Sequence, residues 1–296
     1  MTGGSGFIGR HALPELAARG YEVFALVRHC TKLPDNILAV RGDLLLPGEA
    51  ERVIEAVKPS HLLHLAWNAT PGQFWTALDN LDWVAASLRL SVAFARSGGR
   101  RLVCAGSCAE YDWNQELLRE DETPLEPRTL YGRAKASFHQ LVMAAAAQTG
   151  VSAAWGHVFF LFGPHEHADR LIPQVISGLL KGSPVATTTG MQERDFMHVA
   201  DVARALVALL DSDRQGAANI ASGHCVPIRD TLKFLAELAG RENLIQFGAR
   251  PMPAHEPLRL AASTKALSEI GFVPKYGLNE GLLHTFEWWR ARQTAS

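Results

Sequence analysis

Tyr131 and Lys135 stand four residues apart in Tyr131-Gly132-Arg133-Ala134-Lys135. At helical spacing their side chains face the same side. A free phenol keeps its proton up to about pH 10, too high for proton transfer near neutrality. A neighbouring ammonium favours the phenolate, so the pair has the make-up of an acid–base couple. A solvated surface pair is the alternative. Ser107 is the second candidate. It follows the apolar run 102–105, at the carboxyl end of a strand, where open parallel sheets gather their ligands. A hydroxyl there can hold a substrate hydroxyl or carbonyl. An ordinary turn serine is the alternative.

Thr2-Gly3-Gly4-Ser5-Gly6-Phe7-Ile8-Gly9 offers a place for a cofactor. Gly3 suits a tight turn, Gly6 a close approach of backbone to a pyrophosphate, and Gly9 close packing of the helix that follows. The helix start presents free N–H groups to the anion. The second strand ends at Val27-Arg28-His29, where sites selective for NAD carry an acidic residue for the ribose hydroxyls. Arg28 suits a 2′-phosphate instead. This favours NADPH and leaves NADH open; an exposed Arg without a ligand is the alternative. In Gly42-Asp43-Leu44, after the third strand, Asp43 could reach the adenine amine or act as a cap or turn residue.

These residues need a scaffold. Short apolar runs at 21–27, 61–66 and 102–105 read as strands buried on both faces. Between them, helical patterns cover about 7–19, 49–57, 80–97 and 131–149. The alternation predicts an α/β, Rossmann-type doubly wound parallel sheet. Residues 1–163 form this domain, and 196–221 return to it. Residues 164–296 are mainly a smaller substrate-binding lobe. A glycine turn of this kind normally follows a first strand in the middle of the sheet. Too few residues precede Gly3 to form one, so the first strand reads as truncated. We expect about 5–10 residues of apolar strand ahead of Met1. A downstream strand or a partner chain filling the gap is the alternative.

Composition narrows the function classes. The net charge of -1 and the lack of a basic run argue against nucleic acid and anionic membranes. Hydrophobic residues make up 47% of the chain, enough for a large core, yet no apolar run is long enough to span a membrane. No basic-then-apolar leader precedes the first motif. Cys30, Cys104, Cys108 and Cys225 form no C-x-x-C pair and read as reduced thiols. A soluble cytoplasmic protein is expected. His61 and His64 point to opposite faces of a strand and make no metal pair. His165 and His167 read as solvated loop residues, and Trp288 and Trp289 as packing. Trp67 and Trp113, after two strands, could line a substrate wall.

Taken together, the chain resembles the extended short-chain dehydrogenase/reductases, the NAD(P)-dependent epimerase/dehydratase family, nearly end to end. Thr2 to Gly9 resembles the family's T-G-G-x-G-F-I-G, and His64-Leu65-Ala66 its H-L-A segment. Gly106-Ser107-Cys108-Ala109-Glu110-Tyr111 resembles its catalytic Ser/Thr turn. Thr123-Pro124-Leu125-Glu126-Pro127, then Tyr131 and Lys135, resemble its catalytic helix entry. Phe162-Gly163-Pro164 and Arg194-Asp195-Phe196-Met197-His198-Val199 resemble two later landmarks.

The resemblance implies Ser107, Tyr131 and Lys135 as the catalytic set. It implies a cofactor held by Gly3, Gly6, Phe7, Ile8, Gly9, Arg28, Asp43, Leu44, Leu65, Ala66 and Lys135. It also implies a nucleotide-sugar substrate, with Arg194 on the diphosphate and Phe196 beside it. Departures narrow the reaction. The 4,6-dehydratases carry Asp-Glu where this chain has Cys108 and Ala109, so a dehydratase is not expected. Relatives often carry Arg and Asn where this chain has His157 and Phe160. The favoured reading is a 4-ketoreductase of a nucleotide-activated 6-deoxy sugar; a nucleotide-sugar 4-epimerase is the alternative. A non-catalytic NAD(P) sensor is the reading from another class, against which the retained Tyr131 and Lys135 argue. Helices near 80–97 and 131–149 are rich in apolar residues, among them Trp83, Leu90, Phe94, Phe138, Leu141 and Val142. Relatives pair such helices across a two-fold axis, so a homodimer is expected.

Overall fold

The computed structural model describes residues 1–29, 32–253 and 256–294, so Cys30 lies outside the described residues. The apolar runs become parallel strands. β1 (Val23–Val27) pairs with β2 (Ile37–Arg41). A second parallel sheet holds β3 (His61–His64), β4 (Arg101–Ser107), β6 (Ser152–Val158) and β10 (Gly216–Ile220), in the order β10-β6-β4-β3. Side chains alternate between faces, and both faces are apolar. Leu63, Val103 and Ala154 pack with α1 (Gly9–Ala18) and α6 (Val199–Asp211). Leu62, Leu102 and Trp155 pack with α2 (Glu49–Val57), α3 (Asp79–Arg96) and α4 (Leu130–Thr149). Two helical layers around a parallel sheet make the fold Rossmann-type and doubly wound.

Local chemistry sets where α4 begins and ends, and so where Tyr131 and Lys135 stand. The Thr129 hydroxyl accepts a hydrogen bond from Gly132 N at 3.1 Å, a side-chain N-cap. Gly150, at φ 73°, closes the other end in the left-handed conformation that glycine adopts without strain.

Most of the remaining elements build a second apolar cluster and smaller sheets. α5 (Leu171–Lys181), α7 (Ile228–Ala239) and α9 (Leu278–Thr294) enclose Ile172, Ile176, Leu235 and Phe286. β9 (Glu193–His198) pairs in parallel with β7 (Phe160–Phe162) and β13 (Arg259–Ala262), and antiparallel with β11 (Cys225–Pro227). β13 in turn pairs with β5 (Leu117–Leu118), and β8 (Val185–Thr187) with β12 (Ile245–Phe247). Of the stretch 196–221, α6 and β10 join the core, whereas residues 196–198 belong to β9 and the small sheet. The short helix α8 (Lys265–Glu269) turns back to the core, burying Ala266 and Leu267.

Two sequence expectations meet a difference here. Trp83, Leu90, Phe94, Phe138 and Val142, invoked for a contact between copies, are buried inside the chain itself. They cover the sheet, and only residues such as Leu81, Val92 and Leu141 keep their side chains outward. Met1 and Thr2 stand between β1 and β3 and pair with both. Met1 N donates to Phe24 O, Leu26 N donates to Met1 O at 2.9 Å, and Thr2 N donates to Leu63 O at 3.0 Å. Thr2 makes an isolated parallel bridge to His64. Two residues thus link β1 to β3. Beside them a shallow apolar cleft remains, lined by Val23, Val40, Ile54, Leu62 and Leu90.

That cleft has the place and polarity of a strand. An apolar segment of about 5–10 residues fused ahead of Met1 should enter it and pair with both edges. Each buried backbone hydrogen bond so formed would contribute about 1 kcal/mol. Several of them should raise Tm by roughly 5–10 °C in a chain of this size. An unchanged melting curve in the fused protein would contradict this.

Candidate active site

The glycine turn closes on the end of β3. Gly3 has φ +70°, and a Cβ there would lie 2.8 Å from Ala66 N. A Cβ on Gly9 would lie 2.0 Å from Gly3 O. The close neighbour of Gly9 is therefore the turn's own backbone. Thr2 ties the turn to the H-L-A segment. Its Oγ1 accepts from Leu65 N at 3.2 Å and Ala66 N at 3.1 Å, and lies 2.7 Å from His64 Nδ1. His64 Nε2 reaches Ser87 Oγ at 2.9 Å. Burial pushes the His64 pKa down to about 3, so the ring is neutral and serves as a hydrogen-bond link. No side chain caps α1; Arg10 N and His11 N bond Gly6 O and Ile8 O, so it is the N–H groups of the turn just before them that can face an anion. The tight turn that Gly3 and Gly9 permit, with Gly6 beside it on the cleft, fits a dinucleotide pyrophosphate.

β4 delivers Ser107 to the carboxyl end of the sheet. Ser107 caps the short 3-10 turn Cys108–Glu110, and its Oγ accepts from Ala109 N at 3.2 Å. On the cleft side the Ser107 hydroxyl lies within hydrogen-bonding reach of the Tyr131 phenol. Tyr131 enters on the first turn of α4, its ring edge-on to Phe74 and Trp75. One turn later Lys135 is 4% exposed. Its Nζ donates to Ala105 O at 2.8 Å and sits 3.9 Å from the centroid of the Trp67 ring. Burial pushes the Tyr131 pKa well above its usual value; the Ser107 hydroxyl pulls it the other way. The ammonium is turned to the Ala105 carbonyl and the indole, and burial governs Tyr131.

All the residues singled out for a site line one cleft. It holds Gly3, Gly6, Phe7, Ile8 and Gly9 of the turn, and Arg28, Asp43, Leu44, Leu65 and Ala66 at strand ends. It also holds Ser107, Tyr131, Lys135, Arg194 and Phe196. Arg28 is exposed on the rim. Asp43 Oδ1 accepts from Leu45 N at 3.1 Å, so it forms the turn that brings it to the cleft. Arg194 is 2% exposed and donates to Glu256 Oε1 at 2.7 Å. A diphosphate at Arg194 would therefore share or displace that pairing. Sequence reasoning missed other wall residues. Phe74 and Trp75 stand in the loop before α3, and Arg170 packs 5.1 Å over the Phe74 ring. Glu166 is buried, and burial raises its carboxyl to about 8. Two aromatic residues side by side in a polar loop were the one available signal. Trp67 and Trp113 do line the cleft, Trp67 with one face on Trp83. His165 is exposed but not isolated: it bonds Arg10 at 2.6 Å and packs on Trp288.

The family model described as "NAD dependent epimerase/dehydratase family" matches residues 1–221. The chain belongs to this family. It is an enzyme of the short-chain dehydrogenase/reductase superfamily with a nicotinamide cofactor. It is 26% identical to a UDP-glucose 4-epimerase of Corynebacterium glutamicum, over 93% of this chain and 90% of that one. Among solved structures, the complex of MoeE5 with UDP-glucuronic acid and NAD is 30% identical, with a TM-score of 0.85, covering 99% of this chain and 98% of that one. The complex of Thermus thermophilus UDP-glucose 4-epimerase with NAD is 27% identical, also with a TM-score of 0.85, covering 98% and 97%. Among the described residues of this family member, no helix is long and apolar enough to cross a membrane.

Lys135 generates a pH prediction. Burial lowers its pKa from 10.5 to about 8. The unfolded chain then holds this proton more tightly than the folded one. The folded state is destabilised below about pH 8, and the penalty is relieved as pH rises toward 10.5. Lys135→Met removes the group. Between pH 7.5 and 9.5, wild-type unfolding free energy should rise relative to the variant by about 2 kcal/mol. Urea unfolding of the cofactor-free proteins measures this; parallel pH dependences would contradict it.

Proposed function

We propose that this enzyme transfers hydride to or from C4 of a nucleotide-activated sugar, and that it works as an NADPH-dependent 4-ketoreductase of a 6-deoxy sugar. The observation that carries the reading is the convergence of Ser107, Tyr131 and Lys135 on the cleft that also contains the glycine turn. A bound nicotinamide supplies or accepts the hydride. The protein's part is to hold the substrate and move a proton. In reduction, Ser107 donates a hydrogen bond to the C4 keto oxygen, and Tyr131 gives its phenol proton to that oxygen as the alcohol forms. Tyr131 is left as phenolate, which the Lys135 charge favours. Burial keeps the Tyr131 phenol protonated until transfer, and the Ser107 hydroxyl opposes the rise in pKa that burial imposes. Lys135 also has the reach to hold the nicotinamide ribose. Arg194, at the far wall, supplies the cation for a diphosphate, with Phe196 beside it.

Arg28 favours the reductase, because a 2′-phosphate on the cofactor goes with net consumption of NADPH. Cys108 and Ala109 offer no carboxylate for eliminating water. A second reading, a 4-epimerase, is favoured by the similarity to UDP-glucose 4-epimerases. It uses the same groups in both directions. We also propose that two copies pair through the outer faces of α3 and α4, where Leu81, Val92 and Leu141 are exposed. A homodimer should appear by light scattering at micromolar concentration, and a monomer would rule it out.

The functional test is a panel of nucleotide 4-keto-6-deoxy sugars with NADPH and NADH, followed at the nicotinamide absorbance. NADPH should be consumed faster than NADH, and Arg28→Asp should reverse that order. Tyr131→Phe should lower turnover by roughly 10²–10⁴-fold with cofactor binding little changed. Interconversion of C4 epimers without net consumption of cofactor would favour the epimerase. Wild-type turnover in Tyr131→Phe would sink both readings.

A further inference from the structure

A buried ionisable cluster stands directly behind Ser107, and the reaction above does not use it. Ligand atoms of Glu110, His139 and His157 all lie within 4.8 Å of one another. Glu110 closes the 3-10 turn after β4, His139 follows Lys135 by one turn of α4, and His157 is on β6. The side chains of Glu110 and His157 have no exposed surface, and that of His139 keeps 12%. A carboxylate buried this deeply persists only if its oxygens are matched by donors.

They are matched from three elements. Glu110 Oε1 accepts from Ser107 N at 2.7 Å. Trp155 Nε1 lies 3.2 Å from Oε1 and 3.1 Å from Oε2. His139 Nδ1 is 3.4 Å from Oε2, and His157 Nδ1 is 3.5 Å from Oε1. His157 Nδ1 also approaches Ser107 O at 3.2 Å. Both backbone groups of Ser107 therefore face this cluster. The turn is built around it: a Cβ on Gly106 would lie 2.6 Å from Glu110 Oε1 and 2.0 Å from Trp155 Nε1. Burial opposes ionisation of Glu110, yet the neighbouring imidazoles outweigh it and hold the carboxyl down to about 2.

We propose that Glu110 is a positioning residue for Ser107, with His139, His157 and Trp155 as the partners that fix its carboxylate. The proposal rests on the reading of Ser107 as the hydroxyl that holds the substrate oxygen. Glu110 pins the Ser107 N–H, and Ala109 N occupies a lone pair on Oγ. The hydroxyl hydrogen is left to point into the cleft. A neutral amide in place of the carboxylate would set its own N–H₂ against the surrounding donors. The turn would then shift and carry Oγ with it. A displacement of about 1 Å in such a group can lower turnover on the order of 10²-fold.

The test is a double-mutant cycle on the full chain, with kcat and KM measured separately for the 4-keto sugar. Glu110→Gln should lower kcat by roughly 10–100-fold, with KM changed less than about 3-fold. In a Ser107→Ala background it should lower kcat no further. NADPH binding measured by fluorescence counts the folded fraction, so that a loss through unfolding is separated from a loss of positioning. If Glu110→Gln does not fold, His157→Gln serves, with an expected loss of about 3–10-fold that again vanishes without Ser107. Additive losses overturn the proposal. So does a loss wholly accounted for by the unfolded fraction, or one equivalent of zinc on the purified protein that disappears with His139→Ala. Wild-type turnover in Ser107→Ala would instead remove the reading of Ser107 itself.

Discussion

One buried ammonium ties the site together. Lys135 Nζ is held by the Ala105 carbonyl of β4 and the face of Trp67, so α4 cannot slide along the sheet without breaking a charge-assisted hydrogen bond. Tyr131 lies one turn before it on the same helix, and Ser107 two residues beyond Ala105 on the same strand. Fixing Lys135 therefore fixes the phenol against the hydroxyl. The penalty for burying the cation, seen in its pKa of about 8, is what the fold sustains to keep these three groups in register.

The sheet supplies the second constraint. Parallel pairing of β4 with β3 and β6 brings the carboxyl ends of three strands to one edge, where Ala66, Ser107 and Val158 all line the cleft. The glycine turn reaches the same edge because the Thr2 hydroxyl binds Leu65 N and Ala66 N. That short link does double duty. It shapes the cofactor cradle, and it is much of what joins the two halves of the core sheet.

Some of this was legible in the sequence and some was not. β3 and β4 were legible because Leu62, Leu63, Leu102 and Val103 are apolar on both faces, which only a covered sheet satisfies. The glycine turn, Ser107, Tyr131 and Lys135 were legible because their chemistry depends on residue type at short, fixed spacing. Glu110 was not: a Glu in a turn reads as solvated, and its partners His139 and His157 come from 29 and 47 residues away. The pairing of Arg194 with Glu256 was hidden for the same reason, since it joins residues 62 apart. Phe74, Trp75, Glu166 and Arg170 lie in loops, where no periodicity announces which side chain turns inward. On α3 and α4, amphipathic spacing does not by itself distinguish a face turned to the sheet from one left outward, so the burial of Trp83, Phe94 and Phe138 against the sheet was not legible.

The central claim is that Ser107, Tyr131 and Lys135 serve hydride transfer at C4 of a sugar. Isotope tracing tests it most directly. The protein would be incubated with a nucleotide 4-keto-6-deoxy sugar and NADPH deuterated at the transferring position, and the product read by NMR. The account predicts one deuterium at C4 in wild type and a loss of that labelling in Tyr131→Phe. Label at any other carbon, or a sugar returned unlabelled while NADPH is consumed, would contradict it.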